Sequence, residues 1–271
     1  MSNKYDLIII GSGPGGYVAA IKAAKEGMSV AIIEKKELGG VCLNWGCIPT
    51  KALLKSAEVF HYLETASEFG LKASKVGFDY EAIVERSRGV ADTNSKGVKF
   101  LMKKNKITVL EGTGSIVAKG ITKLVKNDGS EEMIHSKNII IATGARARQI
   151  PPYPIDGQNI ITYRKALELR DLPKKMLVVG SGAIGSEFSY FFNALGVEVH
   201  LVEMLPQILP VEDTEMAAMV ESSFKKQGIN VYTETTAAVE VVSDGKIKVT
   251  LTDKKDKQKS LTVNRVLCAV G

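Results

Sequence analysis

Two cysteines five residues apart carry the most specific chemistry in this sequence. The segment Gly39-Gly40-Val41-Cys42-Leu43-Asn44-Trp45-Gly46-Cys47-Ile48-Pro49-Thr50-Lys51 holds two of the three cysteines in a chain of 271 residues. On a regular helix, positions five apart rise about 7.5 Å and turn about 140°, leaving their Cα atoms about 8.6 Å apart, beyond the roughly 7 Å that a disulfide spans. A straight strand is worse. A bridge therefore needs an irregular turn, and Gly46 before Cys47 with Pro49 after it supplies one at a helix start. A thiol at a helix N-terminus near Lys51 has a lowered pKa, so a reactive thiolate is expected. Two rival readings stand beside this one. Zinc would need two more ligands, and Cys268, His61, His135 and His200 stand singly, so no metal site is expected. Two inert buried thiols are the other rival. Cys268, alone in an apolar strand, reads as core, and the three histidines read as solvated or capping residues.

A second constellation is duplicated. Gly11-Ser12-Gly13-Pro14-Gly15-Gly16 and Gly180-Ser181-Gly182-Ala183-Ile184-Gly185 both fit G-x-G-x-x-G. In that pattern the first glycine permits a tight turn, the second lets the backbone approach a pyrophosphate, and the third allows close strand-to-helix packing, while amides and the helix dipole face the anion. One such match is weak evidence. Here each is followed about 20 residues on by an acid, Glu34 and Glu203, able to accept from ribose hydroxyls. One dinucleotide per copy is implied. Met204, Leu205 and Pro206 follow Glu203 with no arginine for a 2′-phosphate, so the second site is expected to prefer NAD to NADP. An ordinary solvated strand end is the alternative for Glu203.

The elements that must position these residues repeat in the same order. An Ile-rich strand over 5–10 meets the first glycine turn, a helix follows to about residue 26, and an apolar run over 29–33 reads as a parallel strand buried on both faces, closed by Glu34. Helices broken by Gly70 and Gly77 fill 53–104. A strand over 107–111, a small antiparallel meander over 113–135 and a strand over 138–144 complete the first copy. After the Pro-rich stretch 151–154, the second copy runs through a strand (176–179), the second glycine turn, helix, strand (197–202), helix (213–227), strand (229–232), meander and strand (265–271). The fold expected is α/β: two tandem Rossmann-like modules, each a parallel sheet with helices and a small antiparallel β meander, over 1–150 and 151–271. The chain stops on a strand without a closing helix, which suggests part of a longer protein.

Composition narrows the partners. Lys and Arg number 36 against 30 Asp and Glu, a net +6 without a block of like charge, so nucleic acid is not expected. No apolar run reaches the roughly 18 residues of a membrane span, and the N-terminus lacks a signal-peptide pattern, so a soluble cytoplasmic protein without membrane partners is expected. Three cysteines are too few for a disulfide scaffold.

The segment from Gly39 to Lys51, with Ala52-Leu53-Leu54 after it, closely resembles the redox signature of the pyridine nucleotide disulfide oxidoreductases, and within them the dihydrolipoamide dehydrogenase branch. The resemblance covers the whole chain. It implies that Cys42 is the interchange thiol facing substrate, that Cys47 is the charge-transfer thiol against a flavin, and that Lys51 lies near the flavin ring with Glu187. It places Gly11, Gly13, Pro14, Gly15, Gly16, Glu34, Lys35, Gly40, Val41, Cys42, Lys51, Gly114, Thr143 and Gly144 at an FAD site. Gly180, Gly182, Ala183, Ile184, Gly185, Glu187, Glu203 and Gly271 fall at an NAD site. Residues 1–150 would then form an FAD-binding domain without its returning segment, residues 151–271 an NAD-binding domain, and the chain would end before a dimerisation domain that supplies a His and Glu base. The intact protein would be a homodimer reoxidising dihydrolipoyl groups on a lipoyl carrier domain, and this chain would be inactive alone. A module that binds nucleotide or a partner without catalysis is the alternative.

Overall fold

A computed structural model describes residues 4–270. Contacts divide the chain into two compact units, Met1–Pro49 with Arg88–Arg146, and Thr50–Ser87 with Ala147–Gly271.

The first unit contains β1 (Lys4–Ile10), α1 (Pro14–Lys25), β2 (Val30–Glu34), α2 (Gly40–Trp45), the start of α3 (Cys47–Glu64), most of α4 (Tyr80–Lys104), β3 (Thr108–Ala118), β4 (Ile121–Lys126) and β5 (Glu131–Ile141). β1 pairs in parallel with β2 and β5, and β2 with β3. β4 pairs antiparallel with β3 and β5. The parallel strands and the meander foreseen from the sequence are both present, but they are one structure. β3 and β5 are 11 residues each, long enough to pair in the parallel sheet at one end and the meander at the other. The five strands therefore close into a barrel. The changeover in β3 falls at Gly112, between the parallel pair Glu34↔Glu111 and the antiparallel pair Gly112↔Lys126. Its φ is +149°, and a Cβ there would lie 2.3 Å from the Val125 carbonyl oxygen, so only glycine fits.

The apolar runs of β1 and β2 bury both faces, as parallel strands require. Ile8, Ile10, Ala31 and Ile33 meet Leu124 and Ile134 inside the barrel. Leu7, Ile9, Val30 and Ile32 pack on Ala20 of α1 and on Val98 and Met102 of α4. Each fully buried isoleucine contributes about 1.5–3 kcal/mol, which fixes the strand ends where the glycine turn begins.

The second unit contains β6 (Ile160–Ile161), α5 (Tyr163–Ala166), β7 (Lys175–Val179), α6 (Ala183–Ala194), β8 (Glu198–Val202), α7 (Thr214–Lys226), β9 (Asn230–Tyr232), β10 (Thr235–Ser243), β11 (Lys246–Asp253), β12 (Gln258–Val263) and β13 (Arg265–Cys268). A five-stranded parallel sheet runs β6-β13-β7-β8-β9, and β10-β11-β12 form a separate antiparallel sheet. Asp213 caps α7, its side chain accepting from the amides of Glu215 and Met216. Ile247, Val249 and Leu251 of β11 pack on Leu177, Val179 and Val202 of the parallel sheet. The short β6 and α5 are absent from the sequence reading, because two to four residues carry no measurable period.

Residues 50–87 lie within the first copy in sequence yet pack with the second unit. Leu53, Ala57, Tyr80 and Val84 share a core with Phe188, Phe191 and Phe192 of α6. Helical periodicity announces that this stretch has an apolar face but not which partner buries it. His200 also departs from its expected role as a solvated or capping residue. It sits within β8 and is only 5% exposed, stacked on Tyr232 and hydrogen-bonded to Glu198 at 3.0 Å.

Candidate redox and dinucleotide sites

The cysteine pair stands where two helices meet. Gly39 and Gly40, with φ of +95° and +64°, turn the chain into α2, which carries Cys42. Gly46 ends α2, and Cys47 opens α3. A Cβ at Gly46 would lie 3.2 Å from both Cys42 Cα and the Val41 carbonyl oxygen, so the helix break folds tightly onto itself. Cys42 and Cys47 Cα atoms come within 4.8 Å and the sulfurs are bonded, the bridge that a continuous helix would forbid. Bonded to each other, the two sulfurs are not free thiols. Cys42 is half-buried and Cys47 exposed. Cys268 is free and buried, and burial pushes its thiol above the usual range. Lys51 lies four residues along α3 from Cys47. Within the second unit its ammonium stands 3.8 Å from the Glu187 carboxylate, so these two site candidates are brought together.

The two glycine turns are built alike. Gly11 and Gly180 have φ of +100° and +94°, and a Cβ on either would strike a carbonyl oxygen, Ala142 at 2.2 Å or Ala269 at 2.9 Å. At Gly16 and Gly185 a Cβ would meet the carbonyl oxygen of Gly11 or Gly180 at 1.9 Å. At Gly13 and Gly182, by contrast, nothing lies within 4 Å of the added carbon. Two glycines in each turn thus serve packing, and the middle one leaves open space at a helix start. No side chain caps α1 or α6, and neither has an acid in its first turn. The backbone donors there suit an anion.

The acids are wired identically. Glu34 Oε2 accepts from the Ser12 amide at 3.1 Å and the Ser12 hydroxyl at 2.6 Å, while Oε1 accepts from the Lys36 amide at 2.9 Å. Glu203 Oε2 accepts from the Ser181 amide at 3.0 Å and hydroxyl at 2.8 Å, while Oε1 accepts from the Leu205 amide at 3.0 Å. Glu203 is therefore a buried, oriented carboxylate and not a solvated strand end. These serines were missed as site residues, although both motifs carry Ser after the first glycine.

The remaining candidates are dispersed. Pro14 and Gly15 begin α1, and Ala183 and Ile184 begin α6. Lys35 is exposed beside Glu34, and Val41 is half-buried in α2. A Cβ at Gly40 would lie 2.6 Å from Gly13 Cα, so Gly40 abuts the first cradle. Gly114 lies in β3, where a Cβ would press on Ile33 at 3.0 Å, a packing reason for its size. Thr143 and Gly144 follow β5 and are exposed. Gly271 lies outside the described residues. Among the described residues no cluster of His, Cys, Asp or Glu is placed to hold a metal ion. No helix among them is long and apolar enough to cross a membrane.

The pyridine nucleotide-disulphide oxidoreductase family matches residues 5–271. A dihydrolipoyl dehydrogenase of Zymomonas mobilis is 50% identical over 234 residues, 86% of this chain and 50% of that protein. One from Chlorobaculum parvum is 43% identical over 270 residues, 100% of this chain and 58% of that protein. The solved structure of LpdA from Mycobacterium tuberculosis superposes with a TM-score of 0.87 at 27% identity, covering 99% of this chain and 58% of that one. The flavoprotein disulfide reductase RclA of Escherichia coli, solved as a Cu(II) complex, gives a TM-score of 0.80 at 26% identity, covering 99% of this chain and 57% of that one. The chain thus spans 50–58% of the length of these relatives.

Proposed function

Because the chain belongs to the pyridine nucleotide-disulphide oxidoreductase family, we propose that it carries the FAD and NAD modules of an enzyme that oxidises dihydrolipoyl groups through Cys42–Cys47. The observation that carries this reading is the bonded cysteine pair at the start of α3. Two open glycine cradles, each backed by an oriented acid, support it.

The residues present fit both cofactors. The first cradle, Gly11 to Gly16 with Glu34, would hold the pyrophosphate and a ribose of FAD, and the second, Gly180 to Gly185 with Glu203, those of NAD. Bound FAD would carry the electron pair between the dithiol and the nicotinamide. Residues 1–150 would then constitute the FAD module and 151–271 the NAD module. Lys51 and Glu187, paired at 3.8 Å, would serve the flavin chemistry.

One order of thiol exchange is supported by the helix position of each sulfur. A dihydrolipoyl thiolate attacks Cys42 Sγ and the Cys42–Cys47 bond breaks, Cys47 Sγ leaving as a thiolate. The N-terminus of α3, with no acid in its first turn, stabilises that anion. The second substrate thiol, deprotonated, then attacks the substrate sulfur bound to Cys42. A cyclic substrate disulfide departs, and Cys42 takes up a proton. Two electrons have moved from substrate to the cysteine pair. The opposite assignment would place the leaving thiolate within α2, a helix of six residues, with less dipole to stabilise it. The whole protein is expected to work as a homodimer on a lipoyl carrier domain, with a base raising the rate of exchange by about 10²–10⁴. Single-turnover exchange is the property this chain should show.

The test is electron delivery from the far end. The purified chain is incubated anaerobically with FAD, then with NADH, and its thiols are alkylated and mapped by mass. Labelling of Cys42 and Cys47 that depends on FAD is expected. Bound FAD with no new thiols would remove the proposal.

A further inference from the structure

From the way α2 is fastened to α4, we infer that Arg88 is a positioning residue for the redox pair, an inference that rests on the dithiol chemistry proposed above. α2 has six residues, about 9 Å of helix, far below the length at which a helix is stable alone. It is held at both ends. At its start, the Leu38 carbonyl accepts from Asn44 Nδ2 at 2.9 Å and from Ser95 Oγ at 3.0 Å, and Asn44 Nδ2 also donates to the Gly40 carbonyl at 2.9 Å. At its end, Arg88 Nη1 donates to the Asn44 carbonyl at 2.6 Å, and the guanidinium lies 4.3 Å from the centre of the Trp45 ring. Arg88 and Ser95 are seven residues apart on α4, so they share one face about 10.5 Å apart, close to the length of α2.

None of these contacts involves a sulfur, so they persist when the disulfide opens. With the clamp intact, the Cys42 backbone stays near Cys47 in the dithiol and the two sulfurs keep a high effective concentration. Arg88 caps one C-terminal carbonyl of α2, that of Asn44, with a cation and lies over an aromatic ring, two interactions that lysine reproduces only in part. Without Arg88 the oxidised form is still tied by its own bond, but the reduced form gains freedom. The equilibrium, chain disulfide plus substrate dithiol giving chain dithiol plus cyclic disulfide, then moves toward the reduced chain.

The experiment equilibrates the full chain with dihydrolipoamide and lipoamide at graded ratios, quenches by alkylation, and reads the Cys42 and Cys47 states by peptide mass. Arg88→Ala is expected to shift the midpoint toward the reduced chain by about tenfold, about 30 mV for a two-electron couple. Arg88→Lys should fall between, and Ser95→Ala should move the same way by about threefold. A merely structural role would lower thermal stability and leave this midpoint in place. Midpoints within twofold of the parent for Arg88→Ala, or for Ser95→Ala should Arg88→Ala not fold, would overturn the inference. A parent chain whose disulfide ignores the dithiol at every ratio would instead overturn the reading beneath it.

Discussion

Gly182 and Gly185 are three residues apart in one turn, yet their substitutions should fail in different ways. An added carbon at Gly182 meets nothing within 4 Å, and one at Gly185 meets the Gly180 carbonyl oxygen at 1.9 Å. Gly182→Ala, at a φ of −62° that alanine adopts freely, should keep the melting temperature of the parent and lose NADH affinity by about tenfold or more, because the methyl fills the cradle. Gly185→Ala should cost about 1–3 kcal/mol or more in stability, as overpacking does. Paired thermal melts and calorimetric titrations separate the two. Glu203 makes a second residue-scale case: its carboxylate repels a 2′-phosphate, so the parent should bind NADH more tightly than NADPH, and Glu203→Ala should narrow that gap. Equal affinities in the parent would remove the NAD assignment. The types and spacing of these residues were legible because the chemistry demands them. The serines that orient the acids were not, since Ser12 and Ser181 reveal their role only when the strand end folds back onto the glycine turn. Arg88 left no trace, because a lone arginine on a long helix does not show what it caps.

At the scale of the element, β8 shows how a strand read correctly can carry a residue read wrongly. The run ending at Glu203 identified the strand, but His200 is buried against Tyr232 and Glu198, with Lys259 in turn on the Tyr232 ring and hydroxyl. Burial holds its imidazole below the ordinary pKa, with Glu198 pulling the other way and the lysines 259 and 175 adding to the depression. As pH falls from about 6.5, the ordinary histidine value, the unfolded chain binds a proton at His200 before the folded chain does. Stability should therefore decline across that window. His200→Phe keeps a ring against Tyr232 and should flatten the dependence of melting temperature between pH 7.5 and 5.5; an unchanged slope would show that the histidine is not its source. β3 and β5 teach the complementary lesson. Their alternation reveals the meander and their apolar ends reveal the sheet, yet the pattern could not show that one strand of 11 residues belongs to both. Gly112 marks the join, and a glycine within a strand is the signal that could have found it. Gly112→Ala should destabilise the first unit by an amount like that of Gly185→Ala, for the same reason, a methyl driven into a carbonyl.

Across the whole molecule, the duplicated order of strand, glycine turn, helix, strand and acid was readable before any coordinates, because two copies of a weak motif with the same context are far less ambiguous than one. The grouping of residues 50–87 with the second unit was not readable, since an apolar helix face names no partner. What unites the molecule functionally is the claim that electrons enter or leave through Cys42–Cys47. The most direct measurement is stoichiometric: add dihydrolipoamide to the purified chain under anaerobic conditions, without nicotinamide, alkylate, and map the labelled cysteines by mass. We expect labels to appear at Cys42 and Cys47 together, one equivalent of substrate disulfide to form, and Cys268 to be labelled equally with and without substrate after unfolding. A Cys42–Cys47 bond that survives excess dithiol in the folded chain, or a bridge that includes Cys268, would contradict the account.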